Sequence, residues 1–521
     1  MKKTITYLTL IFLVITISEC KKSAIEKPVY GTQSSATFYK TDDQIREALT
    51  GTYLQLRQTW NEYAKNHYFV GDITTDDAWK GGGSPADYQP LADLANFVEN
   101  PTNEIVNIRW SLLYNLIARA NEVIYYAPNA AGDKKLLAQY VNEAKLLRAF
   151  GYYSLATVFG NVPLTLKPLT PAEATHTPRS SVDSVFAQVV KDLTDATALP
   201  SKRQYDAANQ FRVTRGLAYT LLGKVYMFQK NYPKAEEALK AVVESGDYSL
   251  LADYGDNWRI ENSSESVFEI SAKMSDKNAG IGSNIPLFFS TRTTAGYSGY
   301  GFHLPTKDLF DEFDPDDPRI TYTFTRTGDR FINDQPGTAD QDNSLSPDDF
   351  GDRKTLVPEY LRIEYYPWII SYNVRLIRYS DVLLLYAEAL NENGKPAEAL
   401  IYLNEVRERA RMTPPKDPQR SKQTYLPPTD VATSLPDVTT TNKDSLRLAI
   451  WHERRCELGM EGWRREDLVR EDRYGKVMRA FAEKYNTLKG KNFRDDRDYL
   501  LPVPQNEIDY SNGMITQNPN F

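Results

Sequence analysis

LAYTLLGKVYMFQKNYPKAEEALKAVVES, Leu217 to Ser245, is the stretch that decides the fold. Gly223, Tyr226, Tyr232, Ala235 and Leu239 occupy the small, aromatic, aromatic, small and large positions of a tetratricopeptide helix pair. Small residues at two of these places let antiparallel helices approach closely. A second stretch, LLLYAEALNENGKPAEALIYLNEV from Leu383 to Val406, repeats the device, and the step from Ala387 to Ala399 equals that from Gly223 to Ala235. One such pair cannot bury its own apolar face, so neighbouring pairs must stack. Two units this far apart predict a mainly α protein, a tetratricopeptide-like scaffold interrupted by insertions.

Other helices surround these units. From Thr41, with Asp42 and Asp43 as the expected N-cap, Ile45, Leu49, Tyr53 and Leu56 recur at helical spacing. A longer run extends from Ile105 through Trp110, Leu113, Ile117 and Ala120 to Ile124, and another from Ala144 to Val158, closed by Gly160 and Pro163. Helix returns at Ser445 to Leu458. Between the paired units the texture changes. Residues 258–350 are rich in Gly, Asp, Asn, Pro, Ser and Thr with short aromatic runs, which predicts long loops and short strands. Loops of that length displayed on a rigid frame are where function is expected. A further irregular excursion spans 413–441. The expected division is a helical part over 37–245, a loop-rich ligand side over 246–377 and a C-terminal helical part over 378–521, all within a single body from 37 to 521.

The chain has 521 residues and a formal net charge of −7, which argues against a nucleic-acid reader working through a basic surface. With 41% hydrophobic and 25% charged residues, it has ample core and is no multi-span membrane protein. Aromatic residues make up 12% of it, 34 of them Tyr, and a phenol or indole face suits both half-buried packing and amphipathic ligands. Most of the Tyr fall in helical patterns and are assigned to packing.

Only two cysteines are present, Cys20 and Cys456, so there is neither a disulfide framework nor a thiolate zinc site. Cys456 sits in a helical pattern as a small hydrophobe. Cys20 follows Lys2, Lys3 and the apolar run from Ile5 to Ile17, too short to span a bilayer, so residues 1–19 read as a signal peptide. A Cys at its end marks a bacterial lipoprotein, with lipid on Cys20 and residues 20–36 as a polar tether.

Catalytic motifs are missing. His452-Glu453-Arg454-Arg455-Cys456 lacks the second His of a zinc-protease helix, and no nucleophile elbow, Walker loop or dinucleotide fingerprint occurs. The expectation is a protein that is no enzyme and carries no metal or other cofactor. A pair of carboxylates defined only in space, as in a glycan hydrolase, is the enzymatic alternative. Binding is the function left open by this exclusion. In GDITTDDAWKGGG, from Gly71, the residues Asp72, Asp76 and Trp79, with Tyr88 beyond, form an acidic and aromatic loop. An aromatic face stacks on the C–H face of a sugar ring, while carboxylates accept from its hydroxyls. Trp258, Tyr297, Tyr300 and Phe302 lie in Gly/Asp-rich stretches where packing explains less. The expected ligand site joins these two groups.

Several stretches in order together resemble the SusD/RagB family of outer-membrane nutrient-binding lipoproteins. They are Phe38 to Asp42 with Leu49 to Tyr53; Trp110 with Ile117 to Asn121; EAKLLRAFGYYSLATVFGNVPL from Glu143; DEFDPDDPR from Asp311; RYSDVLLLYAEALNENG from Arg378; ERRCELGMEGWRREDLVR from Glu453; and YLLPVPQNEI from Tyr499 with the QNPNF terminus. The resemblance implies a lipid-anchored protein of the cell outer membrane, facing the exterior. It further implies capture of an oligosaccharide and its delivery to a SusC-like TonB-dependent transporter, contacted largely through the helical side. Some relatives handle peptides, so a peptide-binding lid of the same machine is the other reading. Read structurally, Arg464 and Arg465 near Glu461, Glu466 and Asp467 form an ion-pair network joining the C-terminal helices. Asp314, Asp316 and Asp317 around Pro315 and Pro318 form turns rather than a Ca²⁺ loop.

Overall fold

Thr41, and not Asp42 or Asp43, caps the first helix, α1 (Asp42–Tyr53): its hydroxyl accepts from the Gln44 N–H, and the Gln44 side chain accepts from the Thr41 N–H. The two aspartates occupy the first turn instead, where negative charge meets the positive end of the helix dipole. The structure is a computed structural model of the chain, and it describes residues 38–57, 62–272, 282–292, 299–329, 342–356, 371, 373–416 and 435–521. The expected signal peptide, Cys20, the tether and Tyr297 lie outside the described residues, as does much of the 413–441 excursion.

The scaffold is a run of helices in which each packs on the next. Asn103 caps α2 (Glu104–Tyr126) and Asp133 caps α3 (Lys134–Phe159), which ends at Gly160 with φ 71°. Then follow α4 (Val182–Ala196), α5 (Arg215–Phe228) and α6 (Tyr232–Val243). After the insertion come α7 (Tyr379–Glu392), α8 (Pro396–Met412) and α9 (Lys443–Leu458). Both expected helix pairs form, α5 with α6 and α7 with α8, and α6 packs directly on α7 across the intervening residues. The close approach is visible at Gly223, where an added Cβ would stand 2.5 Å from the Leu239 side chain. Ala235, Ala387 and Ala399, at the corresponding small positions of the two pairs, are fully buried. Two smaller helices, α10 (Arg464–Arg470) and α11 (Tyr474–Tyr485), complete the C-terminal part.

Against this frame lies the strand-bearing part, with four separate two-stranded antiparallel ribbons among the described residues. They pair β1 (Ala78–Gly81) with β5 (Phe302–Pro305), β2 (Val162–Pro163) with β3 (Arg179–Ser180), β4 (Ser266–Ile270) with β8 (Val374–Arg378), and β6 (Phe324–Arg326) with β7 (Phe350–Asp352). None of the four makes a sheet large enough to stand alone, so each depends on the helices beneath it. The ribbon that matters for the site is β1–β5, with Trp79 opposite Leu304 and Gly81 opposite Phe302.

Candidate functional site

The segment from Phe69 to Tyr88 begins inside the protein and ends at its surface. A short helix, Tyr63–Tyr68, widens into a π-helical turn over Phe69–Ile73, and the whole run from Tyr63 to Asp77 is buried. Asp72 and Asp76, expected at a ligand, are therefore interior: they are 1% and 2% exposed. Asp72 accepts from His303 Nε2 at 2.9 Å and from the Gly462 N–H at 2.8 Å. Asp76 is gripped by Arg464 through two hydrogen bonds and by Arg455 at 2.9 Å. Burial opposes a charge on Asp76, but the two guanidiniums hold its carboxyl well below the usual range. At 2% exposure, with both oxygens on arginines, this carboxylate is covered from a sugar hydroxyl. Its work is to pin β1 to the C-terminal segment, because an unpaired charge at that depth would cost several kcal/mol.

The same correction extends the expected ion-pair network. Arg464 reaches across to Asp76, Glu461 joins Arg378 and Lys354, and Asp467 joins Arg454 and Arg470. Arg465 instead donates to the Thr157 and Tyr499 carbonyls. The network thus ties the 72–77 segment and β8 to the C-terminal helices rather than joining those helices to each other alone. Asp317, considered as a turn residue, accepts bidentately from Arg319, and its N–H bonds to the Asp314 carbonyl in the expected turn.

His303, on β5, is fully buried and bridges two acids: Nδ1 to Asp352 at 3.0 Å and Nε2 to Asp72 at 2.9 Å. Burial alone would lower its pKa. The two carboxylate hydrogen bonds outweigh that and raise it to about 9, so the imidazolium clamps β5 to β7 and to the π-helical turn.

Past Asp77 the chain emerges. Gly81 and Gly82 take positive φ, 74° and 85°, and a Cβ at Gly81 would stand 2.1 Å from the Gly301 carbonyl oxygen, so only glycine allows β1 and β5 to close here. Gly82 N–H then donates to that carbonyl at 2.7 Å. The loop to Tyr88 is held by Lys80, whose ammonium donates to the Ser84 and Asp87 carbonyls, and by Arg292 paired with Asp87. Its glycines form a braced turn and not a free flap.

Beside this turn opens a groove of about 430 Å³, lined by Trp79, Gly83, Asn96, Leu345 and Lys489 among others. That size falls within the roughly 300–1,000 Å³ usual for small-ligand sites. Trp79 is half-buried, its Nε1 donates to Asp348 at 2.6 Å, and its ring rests on Phe481 with centroids 5.2 Å apart. The indole is thereby held in one orientation on the groove wall. Leu345 is 49% exposed and extends the apolar lining. Lys489 lies 2% exposed with its ammonium on the Ala78 carbonyl, and burial pushes its pKa down to about 7, against the pull of Asp76, Asp77 and Asp72. Sequence reasoning missed Asn96, Leu345, Asp348 and Lys489. They come from separate loops, and no local pattern sets them apart.

The remaining expected residues divide. Tyr88, half-buried with φ 56°, packs on Phe302 at 5.9 Å, and Tyr300 sits at the outer edge, 37% exposed, against Phe288 at 5.2 Å and Phe302 at 6.4 Å. Phe302 itself is 3% exposed and serves as the packing centre of this aromatic cluster rather than a contact surface. Trp258 stands elsewhere: it packs edge-on to Tyr254 at 4.8 Å and lies by Lys354 and Arg378 at the margin of the buried ion network. The β1–β5 pairing therefore unites Trp79, Tyr88, Tyr300 and Phe302 on one ribbon and its flanks, and leaves Trp258 in a separate small pocket that it shares with Tyr68 and Ile285.

Comparison with known proteins adds the family. A model of the SusD family matches residues 264–521, and a second, described as starch-binding associating with outer membrane, matches residues 32–227. SusD-like protein P38 of Formosa agariphila is 27% identical over 509 residues, covering 91% of this chain and 92% of that protein. Among solved structures, a laminarin binding SusD-like protein aligns with a TM-score of 0.75 at 26% identity, over 93% of this chain and 100% of that one. Surface glycan-binding protein A from Bacteroides thetaiotaomicron, solved in complex with laminarihexaose, aligns with a TM-score of 0.74 at 25% identity, over 92% and 100%.

Proposed function

Since this chain belongs to the SusD/RagB family, we propose that it is a non-enzymatic binding protein, anchored in the outer membrane through lipid on Cys20, that captures oligosaccharides. The captured glycan passes to a partner SusC-like TonB-dependent transporter. The observation that carries the reading is Trp79: an indole fixed by Asp348 and Phe481 on the wall of an open groove of about 430 Å³. A flat aromatic face held rigid costs little entropy when a sugar ring stacks on it. Asn96, on the same groove wall, supplies hydrogen-bonding groups for hydroxyls. Tyr300 and Tyr88 pack with Phe302 outside the lining of this groove and are not among its contacts. The relatives that bind laminarin and laminarihexaose support a β-glucan as the first ligand to try.

Calorimetric titration of the mature chain with laminarihexaose, maltohexaose and a peptide library of similar size tests this directly. Saturable binding of one oligosaccharide, abolished or weakened in Trp79→Ala, is the expected result. Binding of peptides alone would replace the glycan reading with the peptide one, and release of reducing ends would replace it with the hydrolase. Loss of fatty-acid labelling in Cys20→Ser tests the anchor, and copurification of a β-barrel transporter from native membranes tests the partner.

A further inference from the structure

A second cavity, of about 340 Å³, opens between α9 and α11 on the other side of Phe481 from Trp79. Its character differs from the groove. His452, Arg455, Arg464, Arg473 and Lys484 line it together with three carboxylates, Asp76, Asp308 and Glu312. Each carboxylate is already engaged by two cations: Asp76 by Arg455 and Arg464, Asp308 by Arg455 and Lys484, Glu312 by Arg455 and His452. Asp77, behind Arg455 and Arg464, and Glu471, on Arg473, bring the carboxylates paired with these five cations to five, so the charges of the lining are close to balanced and what it has to spare is N–H donors.

Two donors there are left over. Trp451 lines the cavity, and its Nε1 is covered from water with no acceptor among the described residues. An indole N–H in that state forfeits a hydrogen bond, a cost that structures seldom carry without cause. Over the same ring, at 4.4 Å, lies the Arg473 guanidinium, which spends Nε and Nη2 on Glu471 and leaves Nη1 without a protein acceptor among the described residues. Leu448, Val477 and Ala480 give the remaining wall an apolar lining. The cavity therefore combines unspent N–H donors, a half-buried aromatic ring and a few apolar side chains, in a volume suited to about one sugar ring.

We propose that this cavity is a second binding site, distinct from the Trp79 groove, for a polyhydroxy carboxylate of single-ring size. Its carboxylate accepts from Arg473 Nη1 and from Trp451 Nε1, which a small rotation of the half-exposed indole turns toward the cavity. Its hydroxyls meet the open edges of Asp308 and Glu312, which unlike Asp76 stay 18% and 26% exposed and so keep lone pairs accessible beside the cations they already hold. The same chemistry is offered by a uronic acid unit of a glycan and by a free sugar acid.

Titration of the full mature chain with methyl glucuronide, gluconate and methyl glucoside, followed by Trp fluorescence and calorimetry, tests the proposal. The expected result is saturable binding of one or both acids and none of the glucoside, weakened roughly tenfold by Trp451→Phe and by Arg473→Gln, the usual worth of one hydrogen bond to a charged group. Binding of methyl glucuronide alone assigns the site to glycan-borne uronates, and binding of gluconate as well extends it to free acids. Equal binding of the uncharged glucoside overturns the proposal, as does acid binding that neither variant alters. Trp79→Ala separates the two sites: it is expected to leave acid binding unchanged while weakening neutral oligosaccharides, so either site can fail without the other.

Discussion

Arg464 holds Asp76 across 388 positions of sequence, with Nε on Oδ1 at 2.9 Å and Nη2 on Oδ2 at 2.8 Å. Both side chains are buried, and the pair fastens the 72–77 segment, which leads directly into β1 and Trp79, to the start of α10. The groove wall thus takes its position from an ion pair it does not expose.

Removing one partner leaves the other charged and enclosed. Arg464→Met leaves Asp76 to Arg455 alone and is expected to destabilise the protein by about 1.5–3 kcal/mol, the worth of hydrogen bonds to a charged group. Chemical denaturation measures it. Asp76→Asn is expected to act in the same direction, and any loss of glycan affinity in that variant should scale with the loss of folded protein. A soluble, fully stable Asp76→Asn chain with abolished binding would return Asp76 to the ligand site.

Within the groove, Trp79→Ala is expected to weaken oligosaccharide binding by roughly 1–3 kcal/mol, as for a central aromatic contact. Asp348→Ala tests the orientation of that ring separately. It removes the acceptor of the indole N–H while leaving the ring in place, so a smaller loss of affinity is expected, with thermal stability changed little. Identical affinities for wild type and both variants in calorimetry would remove Trp79 from the site.

The His303 bridge gives stability a pH dependence of definite sign. Its pKa is raised in the folded protein to about 9 from an ordinary value near 6.5. The stabilisation is therefore complete below pH of about 6.5 and is lost as pH rises through about 9, in total on the order of 3 kcal/mol for a shift of this size. Denaturation midpoints collected from pH 6 to pH 10 should fall across that window. His303→Gln, which keeps hydrogen-bonding capacity without the charge, should be less stable at pH 6 and should flatten the profile.

Gly71 passes so close to Gly462 that a Cβ on it would stand 1.9 Å from the Gly462 carbonyl oxygen. Gly462 in turn has φ 84° and faces the His67 ring. Gly71→Ala must push two backbones apart, and a loss of about 1–3 kcal/mol or more is expected, the cost of overpacking a tight interior. An unchanged melting temperature for this variant would contradict the contact.

Helical structure was legible in the sequence because its causes are local. The spacing of Leu, Ala and Tyr along 217–245 and 383–406 sets an apolar stripe, and Gly223, Ala235, Ala387 and Ala399 set how closely neighbouring helices approach; all of this lies within one or two turns of chain. The Gly/Asp-rich texture of 258–350 likewise foretold loops and short strands. Burial of the acids was not legible. In GDITTDDAWKGGG the residues Asp72 and Asp76 read as exposed because charged side chains usually are, and their partners, His303, Arg455 and Arg464, lie more than 200 positions downstream.

What the sequence determined by itself, then, is the helical scaffold, the interruption within it and the family, each carried by patterns that repeat within short stretches or recur in order along the chain. Which aromatic residues line an open groove and which are covered was decided only by tertiary structure. Pairing of β1 with β5 set Trp79 beside a groove completed by Asn96, Leu345 and Lys489, buried Phe302 beneath Tyr300, and left Trp258 beside a remote ion network. The physical reason is that a side chain's exposure depends on which distant surface covers it, and a buried charge can persist only where the fold delivers its counter-charge.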